Sequence, residues 1–190
     1  MSRHKAVSPR TFRVAKVERL AGWVLRAHGI RCDSPAAQSA CRLFARKQCD
    51  LSENIEIEEN FLPEAIALEL ILVQLAPFPL SIPEEFFRAY LSKIAKRRSL
   101  TKVEMKCGVE LAINIVEELY ETSPLCLESR LTAASALVVS CAYIAAGHLS
   151  LADEIAQITG ATKAAANDIL VAIASTALGR QLSQDGFAYV

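Results

Sequence analysis

The sequence predicts an all-α protein, and both composition and periodicity point to that class. Hydrophobic residues make up 52% of the 190 residues and charged residues 22%, which is enough apolar material for a sizeable core. Only seven glycines and seven prolines are present, and long runs rich in alanine and leucine lack turn residues. Such runs favour helices over strands.

Helix-start signals divide the first half of the chain into three main helices. A serine followed by proline opens a helix, because the hydroxyl caps the first turn and proline is tolerated at its first position. Ser8-Pro9 and Ser34-Pro35 are such pairs, and Leu62-Pro63-Glu64 is a third start. The sequence therefore predicts helices over 8–29, 34–49 and 62–75, and a short helix within the acidic stretch 50–60.

Three prolines separate the two halves of the sequence. Pro77, Pro79 and Pro83 interrupt the helical pattern, and we place the domain boundary there. The expected domains are 1–79 and 80–182, followed by an irregular tail, 183–190. Periodic apolar runs predict the helices of the second domain over 83–98, 101–121, 130–147, 151–159 and 162–178.

The run 151–178 has the spacing of a helix-turn-helix. Apolar residues recur at Leu151, Ile155 and Ile158 in its first helix. Gly160 tolerates the left-handed conformation that a tight turn needs, and Thr162 is a suitable N-cap for the second helix. A unit of this kind commonly places its second helix in a DNA groove or against a partner protein.

The net charge is zero, yet the charges are segregated along the chain. Residues 1–48 hold eleven Lys/Arg and two acids, and residues 49–85 hold nine acids and no Lys or Arg. Residues 86–106 hold seven cations and one acid, whereas 107–128 hold five acids and no cation. Such blocks fit docking onto polyanions at some faces and onto basic proteins at others, or they are ordinary solvated helix faces.

Catalytic and metal signatures are absent from the sequence. Six cysteines form no CxxC pair and lie mostly in apolar stretches, which indicates free thiols in a reducing intracellular compartment. The three histidines are isolated, and there is no glycine-rich phosphate loop. We therefore expect neither an enzyme nor a bound cofactor or metal. Residues 131–152 carry no formal charge, but their hydroxyls and alanines favour a buried central helix over a membrane span.

A weak internal repeat relates the two domains. Identical residues coincide at an offset of one hundred positions in the pairs Ala36/Ala136, Cys41/Cys141, Ala45/Ala145, Leu51/Leu151 and Ile55/Ile155. The order of helix lengths also agrees. We therefore expect two stacked helical units, in which Cys41 and Cys141 occupy equivalent, buried places in central helices.

The predicted architecture resembles the tandem cyclin-like repeats of transcription factor IIB, each a unit of about five helices round an alanine-rich central helix. The second unit carries the likeness. Ile82–Ala95 looks like the opening helix of a repeat, Ala133–Ala146 like the central helix, and Ser150–Ile158 like the helix before the turn. The first unit lacks a counterpart of the leading helix. The zinc ribbon and flexible reader of the family also have no counterpart in this sequence.

The resemblance implies a nuclear factor of transcription initiation that bridges the TATA-binding protein, promoter DNA and RNA polymerase II. In the family, a valine and an arginine near the start of the second helix of the helix-turn-helix read an element beside the TATA box. Ala164 and Asn167 occupy these positions here, and they cannot grip guanine as arginine does. We therefore expect mostly non-specific contacts with the DNA backbone.

Basic side chains are the candidate DNA contacts, because they neutralise phosphates. One cluster lies where the helix 83–98 ends and the next helix begins, and a second set lies near the N-terminus. The helix-turn-helix adds one cation, Lys163, and the amide of Asn167. The full set of candidates is Lys93, Lys96, Arg97, Arg98, Lys102, Lys106, Lys163, Asn167, Arg10 and Arg13.

A cyclin-type regulatory subunit, which binds a protein kinase and no DNA, is the alternative interpretation. The weakly charged helix-turn-helix favours it, while the pattern of the second unit is nearer to transcription factor IIB. The sequence shows no lysine and glutamate placed as kinase-binding cyclins place theirs. A helical membrane or enzyme domain is a third alternative.

Overall fold

The computed structural model describes residues 9–51, 56–76, 81–122, 128–145 and 150–189, without the side chains of residues 9 and 10. These ranges contain nine α-helices, one short 3-10 helix and no strand, which confirms the all-α prediction. The 3-10 helix, Glu59–Phe61, lies between α2 and α3. The α-helices are α1 (Pro9–Ala27), α2 (Pro35–Gln48), α3 (Leu62–Leu75), α4 (Glu84–Arg98), α5 (Lys102–Thr122), α6 (Ser129–Ile144), α7 (Leu151–Thr159), α8 (Lys163–Ser175) and α9 (Ala177–Gln184).

The chain divides into two compact units, Met1–Ile82 and Pro83–Val190. The boundary lies next to the one expected between residues 79 and 80, directly before Pro83 and α4. Pro77 and Pro79, on which the expectation partly rested, lie outside the described residues. Each unit has its own set of buried apolar side chains.

The first unit consists of α1, α2 and α3, with α2 packed against both of the others. Ser34 caps α2 as predicted, because its hydroxyl accepts a hydrogen bond from the backbone N–H of Ala37 at 3.1 Å. One face of α2 is buried, and it includes Cys41, which is 4% exposed. Small alanines on that face allow its neighbours to approach closely.

The second unit is built round α6. Every residue from Leu131 to Ala142 is buried, and α6 packs against α4, α5, α7 and α8. Cys141 is fully buried within it, so the expected burial of both central cysteines is confirmed. No helix in the described ranges has the length and apolar character needed to cross a membrane.

The helix-turn-helix is formed by α7 and α8, with the bounds of α7 as predicted. Ser150 and Thr162 cap the two helices by accepting hydrogen bonds from backbone N–H groups of their first turns. Gly160 ends α7 in the left-handed conformation, with φ of 77°. Glycine suits this position because it has no Cβ to clash there.

The prediction of one helix over 162–178 and an irregular tail over 183–190 is wrong in part. The helix ends at Ser175, and α9 follows directly. Thr176 makes the break: its hydroxyl donates to the carbonyl of Ile173 at 2.8 Å and accepts from the N–H of Gly179 at 2.9 Å. Beyond α9, the Tyr189 hydroxyl donates to the Gly179 carbonyl at 3.0 Å, which connects residue 189 to the first turn of α9.

Candidate functional site

The basic residues at the end of α4 lie beside α7. Lys93 donates from Nζ to the carbonyl of Ile158 at 3.2 Å. Arg97 donates to the side-chain oxygen of Gln157 at 2.9 Å. These two cations therefore help to hold α7, the first helix of the helix-turn-helix, on α4. This role does not prevent them from contacting an external anion.

The side chain of Arg98 is buried, which corrects its place among the DNA-binding candidates. The side chains of Arg98 and Glu154 are 3% and 1% exposed, and Nη2 lies 2.5 Å from Oε2. Nε lies 3.3 Å and 3.2 Å from the two carboxylate oxygens. A guanidinium held in this way neutralises the buried carboxylate and is not accessible to a phosphate.

Within this basic cluster the Arg98 side chain is withdrawn from the surface, whereas Lys93 and Arg97 are exposed although each also bonds to α7. Lys96, at the end of α4, and Lys102 and Lys106, in the first turns of α5, are all exposed. The ammonium of Lys106 lies 3.9 Å from a carboxylate oxygen of Glu110, one turn away. These three lysines, which we call the α4–α5 lysines, remain candidates for phosphate contact.

The helix-turn-helix presents a nearly neutral surface. Lys163 forms a salt bridge with Asp153 of α7, which offsets the charge of both side chains. Asn167 is exposed, as are Ala164 and Asp168. An amide can pair with adenine, but no arginine on α8 can pair with guanine.

The N-terminal candidates lie on α1. Arg13 is half-buried there, and it already interacts with another group of the protein. Arg10 belongs to the same helix, but its side chain lies outside the described residues. Their role in DNA binding stays a prediction.

Sequence reasoning missed an exposed apolar face on α3. Leu62, Ile66, Leu70 and Val73 are 40%, 44%, 57% and 52% exposed. The composition of the helix could have revealed this face. Glu64, Glu69 and Gln74 are the only polar residues among its fourteen. A helix that is apolar on all sides is usually buried on all sides.

The buried thiols are unsuited to chemistry. Burial raises the pKa of Cys41 to about 12 and that of Cys141 to about 11. Both therefore stay protonated at neutral pH, whereas the thiolate is the reactive and metal-binding form. Among the described residues, no group of three or more His, Cys, Asp or Glu side chains could hold a metal ion.

No family model matches this chain, and neither the curated proteins nor the solved structures include one that is significantly similar to it. The inference of function therefore depends on the fold and on the surface chemistry of the chain itself.

Proposed function

We propose that this chain is the core of a divergent transcription factor IIB, which joins the TATA-binding protein, promoter DNA and RNA polymerase II in the nucleus. The observation that carries the proposal is the plan of the second unit. Four helices, α4, α5, α7 and α8, pack on the buried helix α6, and the last two form a helix-turn-helix. This plan agrees with that expected of a cyclin-like repeat.

The first unit supports the same proposal in a reduced form. Its helices α1, α2 and α3 follow the order of α5, α6 and α8, and the middle helix contacts the other two in both units. Among the described residues of the first unit, neither α4 nor α7 has an α-helical counterpart. A central helix without those two partners keeps one side less covered, and α2 is buried on one face only.

Attachment to DNA in this proposal comes from the α4–α5 lysines and not from base reading. Lysines that neutralise phosphates release counterions, so binding weakens as salt rises. The neutral surface of α8 adds little affinity. Recruitment to a promoter then depends mainly on contacts with the TATA-binding protein.

A salt titration of the complex with the TATA-binding protein and promoter DNA tests the proposal. We expect the triple variant Lys96→Ala, Lys102→Ala, Lys106→Ala to bind more weakly, by a similar factor on every DNA sequence. The slope of log affinity against log salt should shrink by about 0.9 for each phosphate that is no longer neutralised.

The matched control is Arg31→Ala, Arg42→Ala, Arg180→Ala, which removes the same charge from residues outside α4 and α5. It should leave the slope near that of the wild type. An equal decrease in affinity for both variants would mean that only net charge matters. If the chain forms no complex with the TATA-binding protein at any salt concentration, the proposed function is refuted.

A cyclin-type regulatory subunit is the second candidate, and the contacts of α4 favour it. Lys93, Arg97 and Arg98 all bond to α7, so much of the basic cluster serves the packing of the unit. A protein that binds a kinase needs no free cations there. Stable binding to a protein kinase, with no salt-dependent binding to duplex DNA, would favour this candidate over the first.

A further inference from the structure

The helix α3 carries an apolar face that its own unit does not cover. Eight of its fourteen residues are exposed, although only three residues of the helix are polar. Leu70 and Val73 are more than half exposed, at 57% and 52%. Exposed apolar residues in one contiguous group commonly mark an interaction site.

The exposed side chains form one stripe, distinct from the packing face of the helix. Leu62, Ile66, Leu70 and Val73 are spaced by four, four and three residues, which places them on the same side of a helix. The packing face holds Ala65, Glu69 and Leu72, all buried. We call the exposed residues the α3 stripe.

Acidic groups accompany the α3 stripe at its N-terminal end. Glu56, Glu58, Glu59 and Glu64 are exposed there. Residues 49–85 contain no Lys or Arg. Lys47 of α2 is already paired with α3, because its Nζ lies 2.7 Å from the carboxylate of the buried Glu69. The surface thus combines an apolar stripe with uncompensated negative charge.

We propose that the α3 stripe docks a basic amphipathic helix of a partner protein. Such a helix lays its apolar side on the stripe and places Lys or Arg near the four glutamates. A symmetric dimer through the α3 stripe would bring the same acids together and so supplies no complementary charge. An anionic membrane surface is repelled by them. The proposal is independent of the role in transcription.

Fluorescence anisotropy of a labelled peptide against the intact chain tests the docking. The probe is a helical peptide of about 18 residues with leucines at helical spacing and lysines elsewhere, and its comparison has glutamates in place of the lysines. We expect the lysine peptide to bind and the glutamate peptide to bind at least about tenfold more weakly. Ile66→Gln with Leu70→Gln should weaken the lysine peptide by about tenfold or more.

The matched control is Val103→Gln with Val171→Gln, at two apolar residues that are 72% and 66% exposed on other helices. It should bind like the wild type, and neither double variant should unfold, because the replaced side chains are exposed. Equal binding of both peptides would overturn the proposal. So would failure of the lysine peptide to bind, or sedimentation showing self-association that Ile66→Gln with Leu70→Gln abolishes.

Discussion

The ion pair of Arg98 and Glu154 links α4 to the helix-turn-helix through two almost fully buried side chains. Removing one partner of such a pair leaves an uncompensated buried charge. We therefore expect Arg98→Leu to lower the free energy of unfolding by about 3–5 kcal/mol. Urea denaturation followed by circular dichroism measures this change.

The double variant Arg98→Leu, Glu154→Leu separates the effect of charge pairing from the effect of packing. Because neither charge then remains in the core, it should be more stable than Arg98→Leu alone. The exposed pair of Arg42 and Glu18 is the control, and Arg42→Leu should cost less than about 1 kcal/mol. A similar small effect for Arg98→Leu would show that the buried pair contributes little.

Two helical glycines differ in what surrounds them, and this difference determines how each helix tolerates alanine. A Cβ at Gly179 of α9 would overlap the carbonyl oxygen of Ile173, whereas a Cβ at Gly22 of α1 meets no heavy atom within 4 Å. We expect Gly179→Ala to destabilise the protein by about 1–3 kcal/mol through overpacking. Gly22→Ala should stabilise it by about 0.5–1 kcal/mol, because glycine disfavours helix interiors.

Thermal unfolding of both glycine variants checks this contrast, and hydrogen exchange locates the change. Gly179→Ala should raise amide hydrogen exchange in α9, including at the Gly179 N–H that donates to the Thr176 hydroxyl. Equal midpoints for the two variants would mean that the junction at Thr176 relaxes without cost.

Over the whole chain, charge is balanced, and the acids near the helix-turn-helix weaken its approach to DNA. Each good arginine contact to guanine is worth about 1–3 kcal/mol of discrimination, and α8 has no arginine. We therefore expect no preference for the usual element beside the TATA box. Competition between promoter DNAs with and without that element, in the presence of the TATA-binding protein, measures the preference.

The variant Asn167→Ala shows whether any preference for that element comes from α8. A preference above about tenfold, or roughly 1.4 kcal/mol, that disappears in Asn167→Ala would contradict the expectation. An unchanged, small preference in both proteins would agree with a helix-turn-helix that serves protein contacts.

Local chemistry made the helix ends predictable. The Ser34-Pro35 pair, Ser150, Gly160 and Thr162 act within one turn of the backbone, and each lies where the sequence places a helix end. The break at Thr176 was missed because the apolar pattern continues through it, although Thr176 is a local N-cap of the same kind as Thr162.

The sequence by itself therefore determined the helical class, most helix bounds and the burial of Cys41 and Cys141, because caps and periodicity are local properties. Tertiary structure alone decided that Arg98 lies in the core and that the α3 stripe faces solvent. Burial depends on which helices become neighbours, and a charged or apolar side chain carries no local signal of what will cover it.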